Sequence, residues 1–255
     1  MSDLCKKMTP AITDLLHRLD GQKARLDALR PLRETSIRSL MSALDVELVY
    51  SSNAVEGNTL TLAETTAVLD HGVTIAGKPL KYHLEAVQLA AAWARVKELA
   101  KQQRPFSESE LLELHTLILG RDDPAAGHYR SVPVFIRGAR HVPPNAARVP
   151  DLMAAALAED LTALHPVAAA ARLHWQIATI HPFVDGNGRT ARLVMNLLLL
   201  RAGFPPLRIQ PESRAKYFAA LEASRFESAE AFPLWIAARE EEELDFWLRH
   251  LQPET

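Results

Sequence analysis

The stretch "HPFVDGNGRTARLVMNLLLLRAG", residues 181–203, decides how the rest of the chain is read. Its second half, 189–202, is apolar nearly all the way round, which predicts a helix buried at the centre of the molecule rather than one lying on its surface. Gly203 stops it. Its first half places His181 at a helix end, halted by Pro182. Asp185 can ligate a hard cation. Gly186 and Gly188 let the backbone turn sharply and approach a ligand, and the helix beginning there turns its free N–H groups to the loop. Arg189 and Arg192, three residues apart, share a helix face and can hold phosphate oxygens. A base, a metal ligand, an anion nest and two arginines together indicate phosphoryl or nucleotidyl transfer. The plainer reading is a polar helix–loop–helix corner. It serves for any one of these residues and fails for the combination.

Outward from this segment, the chain reads as helical. Ile12, Leu15, Leu16 and Leu19 fall on one face of a run over about 10–30, and Ile37, Leu40, Met41, Leu44 and Leu48 on one face of a run over 34–50. Thr61 and Glu64 form a capping box for a helix over about 62–71; Ser107 and Glu110 form another, for a helix that Gly120 ends. Leu84, Val87, Ala91 and Ala94 mark a long amphipathic helix starting near Leu80. Further helices are expected at about 149–163, 166–181, 211–224 and 230–250, the run Glu240–Glu243 being a solvated face. The exception is "GHYRSVPVFIRGARHVPPNAARVP", 127–150, where Val132, Val134 and Ile136 are β-branched, Gly138 suits a turn, and Pro133 and Pro143 suit only edges. A short exposed β-hairpin is expected there.

Composition narrows the function classes. With 29 basic and 31 acidic residues among 255, the formal charge is −2, which gives no support for nucleic-acid binding. No uncharged run is long enough to span a bilayer, and no signal core follows the first residues, so no membrane partner is expected and the cytoplasm is the default compartment. The one cysteine, Cys5, excludes a disulfide framework and is assigned no role.

The motif HPFx(D/E)GNGRxxR is the signature of Fic-domain proteins, and "HPFVDGNGRTAR", 181–192, matches it at every fixed position. "GHYRSVPVFIRG" with "HVPP" resembles the Fic flap and its exit, and "EGNTLTLAET" and "GKPL" resemble the branch whose inhibitory segment precedes the core. The resemblance covers about 45–245. It implies a mainly α Fic fold: a helical bundle around a central buried helix, with one short β-hairpin flap. It also implies an N-terminal helical extension at 1–45 and a Fic domain at 46–250 that includes an inhibitory helix at about 46–57.

Fic enzymes typically transfer AMP from ATP to a hydroxyl side chain of a target protein. By resemblance, His181 is the general base that deprotonates the Ser, Thr or Tyr hydroxyl, and Asp185 holds Mg²⁺. The backbone of Gly186, Asn187 and Gly188 cradles the α- and β-phosphates, Asn187 assisting, and Arg189 and Arg192 hold the far end of the triphosphate. Phe183 packs inward and locks the loop. The flap at Val134 and Ile136 pairs with an extended target segment. Tyr217 and Phe218 fall where relatives contact adenine, with Arg225 where relatives often have asparagine. The Gly-Asn-Gly at 186–188 is the form that transfers AMP, in contrast to an Ala/Lys variant that phosphorylates. "SSNAVEGN" matches the inhibitory motif (S/T)xxxE(G/N): Ser52 and Glu56 lie one helical turn apart, and Glu56 is expected to pair with Arg192 in place of the γ-phosphate. In some relatives this glutamate also positions water to remove AMP, so the resemblance leaves transfer and removal both open. A third reading, a low-turnover nucleotide-binding or toxin–antitoxin partner, is disfavoured because a binding module needs no base. In some relatives the segment matching Gly77–Leu80 lies at a dimer interface, which makes Leu80 a candidate for homodimer contact.

Two features are set aside. Gly72 to Lys78 fits the first seven positions of a phosphate-binding P-loop, but Pro79 follows, with no hydroxyl and no N–H, and a helix rather than a strand precedes. His174 and His181 lie seven apart with no third metal ligand, so His174 reads as a packed histidine.

Overall fold

The computed structural model describes residues 9–29, 34–102 and 104–251, without the side chains of 34–38. Cys5 and the Ile37 side chain lie outside the described residues. Ten α-helices are described: α1 Pro10–Ala28, α2 Glu34–Val55, α3 Leu62–His71, α4 Leu80–Ala100, α5 Glu108–Leu119, α6 Val149–Ala158, α7 Pro166–Ile180, α8 Asn187–Arg201, α9 Arg214–Phe226 and α10 Ala231–Leu251.

Helix α8 divides the core in two, which is why its apolar surface has no polar side. Met195 and Leu199 face a cluster built with α1, α7, α9 and α10 (Leu16, Leu19, Phe232, Trp247), while Leu193, Val194 and Leu197 face another built with α4, α5 and α6 (Leu89, Trp93, Leu111, Met153). Beyond the polar first turns that carry Asn187, Arg189, Thr190 and Arg192, Asn196 is the buried polar residue of this helix. Its amide accepts from Leu207 N at 2.7 Å and donates to Leu207 O at 3.1 Å, pairing a loop backbone that would otherwise be buried unbonded.

The local signals hold at several helix ends. Both capping boxes form, Thr61 with Glu64 and Ser107 with Glu110. Helix α3 ends at Gly72, φ 63°, and residues 72–79 are a loop between α3 and α4, as the Pro79 argument requires. Helix α2 runs unbroken through 45–46 and ends in a Schellman turn: Gly57 (φ 99°) donates to Ala54 O at 3.0 Å and Asn58 donates to Asn53 O at 3.1 Å. Glu56 is therefore the last residue before the chain leaves the helix.

Four expectations are corrected. Leu84, Val87, Ala91 and Ala94 lie on the exposed side of α4, because the larger Leu89, Trp93, Val96 and Leu99 turn the opposite side into the core. No strand forms among the described residues, so the β-hairpin at 127–150 is instead an irregular flap. It keeps the expected turn, with Ala139 N bonded to Ile136 O at 3.2 Å and Gly138 at φ 79°. Ladder pairing fails because Pro133, Pro143 and Pro144 lack N–H groups and because Arg130 takes the carbonyls of Val132 and Pro144. Helix α6 stops at Ala158, five residues short of the expected end. The acidic run of α10 is only half solvated: Glu240 is 0% and Glu243 7% exposed, because α10 packs on α1, α7 and α9 at once. Arg208 neutralises Glu243 at 2.6 Å, whereas neither oxygen of Glu240 has a partner among the described residues.

Candidate active site

His181 caps α7. Its N–H bonds Ile177 O at 2.9 Å, and its φ of 52° makes it the one non-glycine residue at positive φ among those described. A β-carbon in that region is uncommon and is held by its surroundings. Its Nδ1 faces Ala178 O at 3.4 Å; a carbonyl can only accept, so the proton sits on Nδ1 and the Nε2 lone pair is left free. Burial pushes the imidazole down to about 4, helped by the Arg130 and Arg225 charges and opposed by the Ala178 carbonyl and Glu56. The ring is thus neutral at physiological pH, the state a general base requires.

The loop after it is braced from within. The Asn187 amide accepts from Phe183 N and donates to Phe183 O, both at 2.9 Å. The Asn187 side chain therefore braces the loop from within, alongside the phosphate role expected of its segment. Phe183 is fully buried and stacks on His115, ring centroids 3.6 Å apart. His115 donates from Nε2 to Asp185 O at 3.0 Å and accepts at Nδ1 from Gly127 N at 3.0 Å, so its tautomer is fixed. The Asp185 side chain is 60% exposed, with one oxygen accepting from Gly186 N at 2.6 Å.

Gly186, φ 76°, sits at the N-cap of α8 and brings no side chain to it, which leaves the first-turn N–H groups for an anion. A carboxylate already lies there. A β-carbon built on Gly188 would come within 2.1 Å of Glu56 Oε1, so this position takes glycine because Glu56 rests against it. The same Oε1 accepts from Arg192 Nη2 at 2.8 Å. Ser52 holds the rest of the guanidinium: Arg192 Nε donates to its hydroxyl at 2.9 Å and Nη2 to its backbone carbonyl at 2.8 Å. Arg214 Nε caps the Val55 carbonyl at 2.7 Å and fixes the end of α2. Burial works against the charge on Arg192, and Glu56 together with Tyr217 more than restores it, leaving its pKa raised.

The arginines diverge more than their spacing implied. Arg192 turns to α2. Arg189, equally buried, lies between Asp185 at 3.6 Å and Glu85 of α4 at 3.8 Å. On α9, Tyr217 is 1% exposed, its hydroxyl 3.0 Å from His174 Nε2 and its ring walled by His174, Phe218, Phe232 and Trp235. That corrects the placement of Tyr217 against a base, since no face of its ring is open, and it explains His174 as a packed histidine. Phe218 is partly exposed beneath the Arg214 guanidinium. Arg225 ties α9 to α7 through Thr179 and the Ala178 carbonyl. Val134 and Ile136 are partly buried in the flap, and Phe135 between them, which the sequence reading passed over, is 81% exposed. Sequence reasoning also missed His115, Arg130 and Arg214. Each lies in a separate segment, and only the fold brings it to the site.

No group of three or more His, Cys, Asp or Glu side chains among the described residues could hold a metal alone, and no described helix is long and apolar enough to cross a membrane.

Residues 105–199 match the model of the Fic/DOC family. The protein adenylyltransferase Fic of Drosophila melanogaster is 35% identical over 238 residues, covering 91% of this chain and 48% of its own length, so the chain spans about half the length of the curated relatives it matches. A Fic domain containing signaling protein from Bacteroides thetaiotaomicron superposes with a TM-score of 0.84 at 27% identity, over 94% of this chain and 99% of that one. Fic-1 from C. elegans superposes at 0.82 with 31% identity, over 93% of this chain and 72% of that one. With the motif, the fold and these relatives in agreement, the chain belongs to the Fic/DOC family.

Proposed function

We propose that the protein transfers AMP from ATP to a Ser, Thr or Tyr hydroxyl of a target protein, and that Glu56 restrains it. The observation carrying the proposal is the geometry of the motif loop: His181 caps the end of α7 with its Nδ1 turned to Ala178 O, and six residues on α8 opens at Asn187 behind a Gly186 N-cap that brings no capping side chain. In the proposed reaction His181 Nε2 takes the proton of the target hydroxyl. The hydroxyl oxygen bonds the α-phosphorus, and the bond from that phosphorus to the bridging oxygen breaks, releasing pyrophosphate. The backbone N–H groups of Gly186 to Gly188 and the guanidinium of Arg192 would hold the phosphates.

The site suits Mg²⁺. Asp185 exposes an acidic oxygen ligand next to the anion nest, and one carboxylate plus substrate phosphates is the usual Mg²⁺ set. Mg²⁺ held there would neutralise phosphate charge. The resting molecule is not ready for a triphosphate, because Glu56 fills the space on Arg192 and Gly188 that the γ-phosphate needs. The same carboxylate, 38% exposed, is also placed to hold a water for AMP removal.

The flap at Val134, Phe135 and Ile136 would present the target. Docking by strand addition is kept only as an induced pairing. The division into an extension at 1–45 and a catalytic domain at 46–250, and a cytoplasmic location, belong to the same proposal. So does a homodimer through Leu80, Leu84 and Val87, which lie exposed on one face of α4; sedimentation of Leu80→Asp tests it.

The central experiment incubates wild type, Glu56→Ala and Glu56→Ala/His181→Ala with Mg²⁺ and ATP labelled at the α-phosphate. Weak, strong and no protein labelling are expected. Label that persists without His181 removes the base assignment, and label from the γ-phosphate alone makes the protein a kinase. Loss of AMP from prelabelled protein in wild type selects the removal reading.

A further inference from the structure

Arg130 is 3% exposed, and no carboxylate pairs with it among the described residues. A buried cation without a counter-charge is costly and calls for an explanation. Its partners are all backbone carbonyls. Nε donates to His181 O at 2.8 Å, Nη1 to Val132 O at 3.0 Å, and Nη2 to Pro144 O at 2.6 Å with a longer reach to Ile180 O at 3.4 Å. Its own N–H bonds Pro182 O at 2.9 Å. The planar fork of a guanidinium can serve several acceptors in fixed directions, which an ammonium cannot.

These acceptors fall into two sets. Ile180 and His181 close α7, where the helix dipole is negative and a cation is favoured, and His181 is also the residue held at φ 52°. Val132 and Pro144 are the two limbs of the flap. With no ladder between those limbs, the guanidinium is the link that reaches both. His141 ties only the exit limb, through Nε2 to Thr179 O at 2.8 Å.

We infer that Arg130 is a positioning residue that locks the flap and the His181 turn into one frame, so that a hydroxyl docked on the flap meets Nε2 in register. This rests on the transfer reading of the site. Burial lowers the pKa of Arg130 and its charge helps hold His181 neutral, consistent with the contact geometry.

The test uses Arg130→Lys and Arg130→Ala in the full chain carrying Glu56→Ala. Amide hydrogen exchange needs no chemistry and is read first. Residues 131–146 and 178–184 should exchange about tenfold faster or more, with α4 and α8 unchanged. Transfer of α-labelled AMP to the protein's own hydroxyls should then fall about 100-fold in kcat at unchanged KM for ATP, with no rescue by lysine, as expected when reacting groups shift by about an ångström. Unchanged exchange in the flap overturns the inference, as does rescue by lysine. A rise in KM for ATP matching the loss of rate, or faster exchange throughout α8, also overturns it, because Arg130 would then only support the fold. If the Glu56→Ala parent transfers no AMP, the transfer reading fails while the exchange result still decides whether Arg130 is the clasp.

Discussion

Gly188→Ala is a sharp probe of the Glu56 seat, because it changes neither partner of the ion pair. Gly188 lies in the first turn of α8 at ordinary helical φ, so alanine is sterically acceptable to the backbone and gains about 0.5–1 kcal/mol over glycine in a helix. The new β-carbon would sit 2.1 Å from Glu56 Oε1, which must move, and 3.1 Å from Arg192 Nη1, which need give only a few tenths of an ångström. Arg192 is held by the two bonds it donates to Ser52 and is 4% exposed; Glu56 is the freer end, with 38% of its side chain exposed. The carboxylate moves. A charge-assisted hydrogen bond contributes about 1.5–3 kcal/mol, and solvent at Glu56 places this one near the low end, about 1.5–2 kcal/mol. After the helical gain, Gly188→Ala should destabilise wild type by about 0.5–1.5 kcal/mol, a fall in Tm of about 1–6 °C for a domain of this size. In Glu56→Ala the clash is gone and only the gain is left, so the same substitution should stabilise by about 0.5–1 kcal/mol. Thermal and urea unfolding of the four proteins gives the coupling directly, about 1.5–2 kcal/mol. Equal shifts in both backgrounds would show that Glu56 does not rest on Gly188 in solution.

Two further predictions come from buried titratable groups. Replacing the unpartnered Glu240 by methionine should stabilise by about 1–3 kcal/mol. Burial raises the folded pKa of Glu240 well above its usual value, and Glu243 adds to the rise, so its stability contribution is intact below the unfolded pKa and is lost as pH climbs towards the folded one. The gain from Glu240→Met should therefore be larger at pH 8 than at pH 5 in urea unfolding; a larger gain at pH 5 contradicts the assignment. His181, with a pKa near 4, should keep its neutral-imidazole resonances, identified by loss in His181→Ala, from pH 8 down to pH 5. A midpoint near 6.5 would show a solvated ring.

Much of this architecture was readable because its causes are local. Thr61 and Glu64, Ser107 and Glu110, and Gly72 act within one helical turn, and the elements they bound lie where their spacing predicts. The central helix α8 was legible from its own apolar circumference. What escaped the sequence depends on partners far along the chain. Arg130 and the prolines remove the flap ladder between them, so β-branched spacing at 132, 134 and 136 misled. Glu240 and Glu243 resemble solvated residues until α1, α7 and α9 close over α10. His115 carries no motif, and its role appears only when α5 meets the loop of Asp185. The bracing of the loop by Asn187 is likewise hidden from the sequence, since nothing there reveals that its amide meets the Phe183 backbone twice.

Glu56 is proposed to occupy the γ-phosphate position on Arg192, and nucleotide affinities read that occupancy without any chemistry. Titration calorimetry of ATP and ADP with Mg²⁺, against wild type and Glu56→Ala, isolates the γ-phosphate. Removing a contact of about 1.5–2 kcal/mol should tighten ATP by about 10–30-fold and leave ADP essentially unchanged. Equal tightening of both nucleotides, or of neither, would contradict the account.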